Sequence, residues 1–194
     1  MTTVLYRADL DTPVGPFLLL TDADGAVRAS GFTADLAEVL ALLPRAGTGA
    51  EVRPAADAPD DDPTAPALDA LRRFFAGDLT ALDGVPVRQD ADPERPVARM
   101  RVRLRAVGPG ETRTYAGLAA DAGLPRAPRA AGQACSRNAV APFVPCHRVL
   151  STSGGLGGYR WGLPVKRALL DHERAHAAGA DGPRPLPLEV PVAG

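Results

Sequence analysis

The sequence predicts an α+β protein of two domains, a small strand-rich domain followed by a mostly helical one. Short β-type runs separated by turn signals fill the N-terminal part, and apolar residues recur at helical spacing after residue 96. The charge changes sign between the two regions. Residues 1–94 hold 7 Lys+Arg against 17 Asp+Glu, whereas residues 95–170 hold 13 against 2. The 194 residues, 45% apolar and 23% charged, exclude a fibrous, coiled-coil or wholly disordered chain. No apolar run nears the ~20 residues of a membrane span. The start of the chain lacks a signal-peptide pattern, and two cysteines are too few for a disulfide scaffold, so a cytoplasmic protein is expected.

Taken in order, Val4–Asp9, Phe17–Leu20 and Ala26–Phe32 read as antiparallel strands, joined by Thr12-Pro-Val-Gly-Pro16 and the turn Asp22-Ala-Asp-Gly25. Leu36–Leu43 has helical spacing with Asp35 near its start. Residues 44–66, rich in Gly, Pro and Ala with the run Asp60-Asp-Asp62, read as a loose surface loop. Ala67–Phe75 is a short helix with Leu68, Leu71 and Phe75 on one side, Ala81–Val87 a further strand, and 88–96 a linker. The first domain is therefore placed at 1–94.

The second domain, 95–173, opens with a helix over Val97–Val107. Val97, Met100, Leu104 and Val107 form its apolar stripe, and Arg99, Arg101, Arg103 and Arg105 its exposed face. Thr114 is the N-cap of a helix over Tyr115–Ala122, which Gly123 ends. Pro128 suits the first turn of another helix over Arg129–Arg137. Two helices joined by a short Gly-containing turn form a helix-turn-helix pattern. Ala130, Ala131, Gly132 and Ala134 leave the second of them slim, fit to approach a duplex or to pack on a neighbouring helix. The basic surplus is the footprint of a nucleic-acid-binding module, with attraction between an acidic and a basic half as the other explanation. Residues 174–194, rich in Ala, Gly and Pro, read as a disordered tail.

The chemistry concentrates at Val144-Pro-Cys-His-Arg-Val149. A thiol reacts as the thiolate, which an imidazole, a basic surround or a helix N-terminus promotes. Pro145 restrains the backbone there, and His147 and Arg148 are costly to bury without a use. Cys135 reads as a small buried hydrophobe. A four-ligand zinc site is not available in residues 1–134, which contain neither Cys nor His. The second cysteine of a zinc deaminase signature is missing from Pro145-Cys-His-Arg148.

Residues 110–173 resemble the catalytic domain of the O6-alkylguanine-DNA alkyltransferases, the methylated-DNA–protein-cysteine methyltransferases. The resemblance lies in Gly110-Glu-Thr-Arg-Thr-Tyr115, Arg129-Ala-Ala-Gly-Gln-Ala134, Arg137-Asn138, Val144-Pro-Cys-His-Arg-Val149 and Gly157-Gly-Tyr159, followed in order by Gly162, Lys166, Leu169-Leu170 and Glu173. It implies a ribonuclease H-like first domain and a helix-turn-helix that enters the minor groove of duplex DNA. Thr114, Arg129, Ala130, Gly132 and Arg137 fall in the DNA-binding set, with Arg129 as the finger that holds the place of an extruded base. Tyr115 helps rotate the nucleotide and can hydrogen-bond the purine. Tyr115, Val149, Tyr159, Arg160 and Trp161 form the pocket, and Asn138 shapes the active-site loop. Cys146 accepts the alkyl group, His147 takes the thiol proton through a water, and Glu173 orients His147.

The implied activity is stoichiometric, irreversible repair of O6-alkylguanine in duplex DNA by a monomer, with no cofactor and no metal. Two departures stand out. Arginines replace aromatic residues in the helix that opens the domain, and the bulk of Arg160-Trp161 narrows the pocket and favours methyl over large alkyl groups. The competing reading is a non-catalytic binder that flags alkylated bases for another pathway. Such proteins replace the acceptor cysteine, and here Cys146 is present.

Overall fold

A computed structural model of the chain describes residues 3–43, 49–89, 92 and 94–177. It is α+β, with two compact units: residues 1–91 together with 137–144, and residues 92–136 together with 145–194.

The first unit is built on a four-stranded sheet of order β3-β2-β1-β4. β1 (Val4–Thr12) and β2 (Gly15–Thr21) form an antiparallel hairpin in which Thr12 faces Gly15. Gly15 sits at φ +119°, a conformation that its missing Cβ permits. β2 pairs along both edges, and Phe17–Leu20 are all buried, so both its faces are covered; an unbroken apolar run is what such a strand requires. β3 (Val27–Gly31) continues antiparallel, and α1 (Leu36–Leu40) follows, N-capped by the Asp35 side chain.

Here the sheet departs from the antiparallel one expected. Within the segment read as a loose loop, Glu51–Pro54 forms β4 and pairs parallel with β1, so the sheet is mixed. Local composition does not mark this pairing, because its hydrogen bonds come from a strand 47 residues earlier in the chain, Val4 facing Glu51. A single 3-10 turn (Ala55–Asp57) and α2 (Ala65–Phe75) come next; residues 44–48 of the expected loop lie outside the described residues.

α2 buries Ala67, Leu68, Ala70, Leu71 and Phe74. Phe74, not Phe75, completes the buried face, and Phe75 stands edge-on to it at 5.2 Å. The strand expected at Ala81–Val87 is a series of tight turns, with one bridge from Val87 to Val27. The expected linker contains a buried residue: Gln89 accepts from Ala139 N through Oε1 at 3.0 Å. That bond, with Ser30 N to Ala139 O (2.7 Å) and Ser30 Oγ to Ala141 O (2.8 Å), holds the 137–144 segment to the first unit.

In the second unit α3 (Pro96–Arg105), α4 (Tyr115–Asp121) and α5 (Pro128–Ser136) pack together. Pro96 occupies the first turn of α3, where its missing N–H costs nothing. Thr114 N-caps α4, its Oγ1 accepting from Gly117 N at 3.0 Å. Gly123, at φ +73°, ends α4 with Gly123 N on Ala120 O and Leu124 N on Ala119 O, the paired bonds of a Schellman cap. The face of α3 read as exposed is only partly so: Met100 and Leu104 are buried as expected, but so is Arg101. Its guanidinium finds a backbone carbonyl of α5, which makes burial tolerable.

Two short parallel strands, β5 (Arg113–Thr114) and β6 (Val149–Leu150), tie the start of α4 to the segment after Cys146. α6 (Leu163–Ala177) closes the chain's description. It runs through residues 174–177, the expected start of the tail, and residues 178–194 lie outside the described residues. Among the described residues no helix is long and apolar enough to cross a membrane.

Candidate active site

Cys146, His147 and Arg148 form one 3-10 turn, opened by Pro145 O accepting from Arg148 N at 3.0 Å. On a regular strand neighbouring side chains would point to opposite faces. The turn removes that conflict and lets His147 and Arg148 converge on one carboxylate.

That carboxylate is Glu173, buried in α6. It accepts from His147 Nε2 at 2.8 Å, from Arg148 Nη2 at 2.8 Å, from Arg148 Nε at 3.0 and 3.1 Å, and from Gly110 N at 3.2 Å. Arg148 Nη1 also donates to Val107 O. Burial alone would raise the Glu173 carboxyl, but His147 and Arg148 overcome it and hold it at about 2. Glu173 is therefore an anion that only accepts.

The tautomer of His147 follows. An ionised carboxylate at Nε2 requires the proton on Nε2. Burial lowers the His147 pKa in spite of Glu173, so the ring is neutral at physiological pH and Nδ1 carries the lone pair. Nδ1 is buried and has no hydrogen-bond partner among the described residues. The arrangement presents a neutral base, oriented from behind, in the residue next to a buried cysteine.

Other groups gather around Cys146. Tyr115, the first residue of α4, is raised first by burial and then by Cys135 and Cys146; Tyr159 is raised well above its ordinary value, first by burial and then by Cys146 and Glu173. The Tyr159 hydroxyl is buried with no hydrogen-bond partner among the described residues. Lys166 is buried in α6; its Nζ donates to Val149 O at 2.6 Å and to Leu156 O. Burial lowers its pKa, and the two cysteines oppose this. Lys166 thus fixes the strand that follows the Cys-His-Arg turn. Cys135 is pushed up to about 12, by burial and then by Cys146, so it stays a thiol. Gly157, at φ +66°, passes so close to Tyr115 that a Cβ there would lie 3.0 Å from the phenolic oxygen.

Asn138 acts within the first unit. Its Nδ2 donates to Val144 O at 2.7 Å, and its Oδ1 accepts from Val140 N at 3.3 Å, closing the loop that leads to Pro145. On α5, Ala131 and Ala134 face inward while Arg129 is exposed and makes no hydrogen bond or ion pair among the described residues; Ala130 and Gly132 are partly exposed. Arg137 is exposed. Trp161 is partly buried, and Arg160 is exposed with its Nη2 on Ser136 O at 2.9 Å. Among the described residues no group of three or more His, Cys, Asp or Glu could hold a metal ion.

Residues 98–175 match the family model described as 6-O-methylguanine DNA methyltransferase, DNA binding domain. The methylated-DNA–protein-cysteine methyltransferase of Methanosarcina acetivorans is 32% identical over 87% of this chain and 98% of its own length. That of Mycobacterium tuberculosis H37Rv is 40% identical over 61% of this chain and 70% of its own. The chain belongs to the methylated-DNA–protein-cysteine methyltransferase family. A solved structure, Mycobacterium tuberculosis OGT in complex with DNA, superposes with a TM-score of 0.70 at 30% identity, covering 88% of this chain and 94% of that one.

Sequence reasoning named Cys146, His147 and Glu173 but gave Arg148 only a general electrostatic part. Arg148 is the larger partner of Glu173, with three hydrogen bonds against one from His147. Its signal was its place in the same turn as Cys146. The Gly110 N–H and the clamp by Lys166 have no signal in the sequence beyond the order of these residues in the motif.

Proposed function

We propose that this protein repairs O6-alkylguanine in duplex DNA by moving the alkyl group, chiefly methyl, to Cys146 once and irreversibly. The observation that carries this reading is the buried His147–Glu173–Arg148 cluster, which leaves a neutral Nδ1 base beside the cysteine. The thiol proton passes through a water to Nδ1, and the imidazolium that forms is stabilised by Glu173. The thiolate attacks the alkyl carbon, an S–C bond forms as the C–O6 bond breaks, and the guanine keeps the electron pair. A proton delivered to the guanine ring completes a neutral leaving group, with Tyr115 as its donor in this reading. The thioether product is a poor leaving group, so the protein is consumed.

In the same reading α4 and α5 are the helix-turn-helix that docks in the minor groove. Thr114, Arg129, Ala130, Gly132 and Arg137 form the DNA-contacting set. Residues 95–173 are the catalytic domain, and residues 1–94 are a supporting domain of ribonuclease H-like order. The antiparallel β1-β2-β3 run, followed by a helix and a β4 parallel to β1, supports that order. Extruding the damaged base is easiest where pairing is already weakened, and Arg129, exposed and unengaged among the described residues, suits the place-holder role. Tyr115, Val149, Tyr159, Arg160 and Trp161 line the pocket, and Asn138 shapes the loop before Cys146.

The test is a titration with duplex carrying O6-methylguanine labelled on the methyl carbon. A plateau near one label per protein, absent in Cys146→Ala, is expected. Tight lesion binding without label transfer would instead establish a lesion-flagging protein.

A further inference from the structure

The two helices of the docking pair end on carbonyls that arginines hold. Arg99 Nη2 donates at 2.9 Å to the carbonyl of Ala122, the C-cap of α4. Arg101, only 7% exposed, donates from Nε at 3.2 Å to Ala134 O in the last turn of α5. Arg160 adds a third such contact at Ser136 O, the last residue of α5. A helix C-terminus leaves four carbonyls without partners and carries partial negative charge, so a guanidinium is a matching partner.

Arg99 and Arg101 stand two residues apart on α3, yet they diverge to different helices. Arg101 lies between the fully buried Met100 and Leu104 on the same element, a setting where an aliphatic residue would pack without desolvating a charge. Its burial is compensated in part by a fixed carbonyl, and that carbonyl belongs to α5. Neither arginine lies in α4 or α5 itself, so both act on the geometry of the pair from outside it.

We infer that Arg99 and Arg101 are positioning residues of the DNA-docking helices: they fix where α4 and α5 end, and so the direction in which Arg129 and the slim face of α5 meet a duplex. This rests on the proposed function. It differs from the reading that these arginines contact phosphates, and the difference is measurable. Each lost phosphate contact lowers the slope of log affinity against log salt by about 0.9. A positioning residue lowers affinity without changing the number of phosphates neutralised. Methyl transfer from the free base O6-methylguanine requires no docking and is left as it was.

The experiment uses the full chain. Binding to a duplex carrying O6-methylguanine is measured across a salt series in a Cys146→Ala background, with Arg99→Ala, Arg101→Met and Arg101→Lys added singly. Transfer from free O6-methylguanine is measured with Cys146 intact. Arg99→Ala and Arg101→Met are expected to weaken binding roughly tenfold, the scale of one lost charged hydrogen bond, with an unchanged salt slope and unchanged transfer from the free base. Arg101→Lys, which keeps a donor, should recover part of the loss. Arg99→Ala removes a surface side chain and keeps the test available if Arg101→Met fails to fold. A slope lower by about 0.9 in either variant would identify a phosphate contact and overturn the inference. So would unchanged affinity, or a loss of free-base transfer in step with the loss of binding. A wild-type chain that bound no lesion duplex would remove the proposed function, and this inference with it.

Discussion

Replacing Glu173 by Gln keeps the volume of the side chain and removes the charge on which the cluster depends. Holding this carboxyl at about 2, against 4.5 for the ordinary group, corresponds to ~3 kcal/mol of stability. Its folded-state pKa is depressed, so that stability is present above pH 4.5 and is lost as pH falls from 4.5 through about 2. The amide also mismatches its neighbours. Donors meet both carboxylate oxygens, Arg148 Nη2 and His147 Nε2 at Oε1 and Gly110 N at Oε2, so one of them faces an NH2 group in either orientation. Arg148 is left buried without its counter-charge, which typically costs about 3–5 kcal/mol. Equilibrium urea unfolding of wild type and Glu173→Gln at several pH values should show a gap of ~3 kcal/mol at pH 7 that shrinks below pH 4.5. Where the Gln NH2 faces His147 Nε2 it draws the ring to the Nδ1–H tautomer, so methyl transfer should slow by roughly 10²–10⁴-fold, the usual contribution of a general base. A gap below about 1 kcal/mol at pH 7, a gap independent of pH, or transfer at the wild-type rate would refute the placement of charge and proton in this cluster.

Three further outcomes are expected. Cys135→Ser should still reach one methyl per protein, because burial keeps the Cys135 thiol protonated up to about 12; loss of labelling would show that the acceptor is misassigned. Gly132→Ala adds a methyl where nothing lies within 4 Å, so thermal melting should rise with the ~0.5–1 kcal/mol that Ala gains over Gly inside a helix. Its affinity for duplex DNA should nevertheless fall, and equal or better binding would mean that this face of α5 does not meet DNA. Gly157→Ala forces a side chain into a left-handed conformation, at about 1–2 kcal/mol, and against the Tyr115 hydroxyl. Transfer rate should drop with DNA affinity unchanged, and a gel-shift assay beside single-turnover kinetics separates the two.

Features written within a few consecutive residues were legible in the sequence. Thr114 as an N-cap, Gly123 as a helix stop, Pro128 in a first turn and the apolar spacing of Met100 and Leu104 each act through their immediate neighbours, and each is found where local chemistry requires it. The reactive group was equally local, because Cys146, His147 and Arg148 are consecutive. The link from His147 to Glu173 came from a family resemblance, since no spacing rule joins residues 26 apart on a 3-10 turn and a distant helix. What only the tertiary structure decided is pairing over long separations. β4 joins β1 through backbone hydrogen bonds that any composition can make, so an acidic, Pro-rich stretch gave no sign of a strand. Arg101 looked like its solvent-facing neighbours because a guanidinium carries no mark of the carbonyl that will receive it, 33 residues away. The sequence by itself determined which groups are present and how each short stretch folds. The tertiary structure decided which charges are buried and against what, because the free energy of a buried charge depends on partners that only the folded chain brings within hydrogen-bond distance.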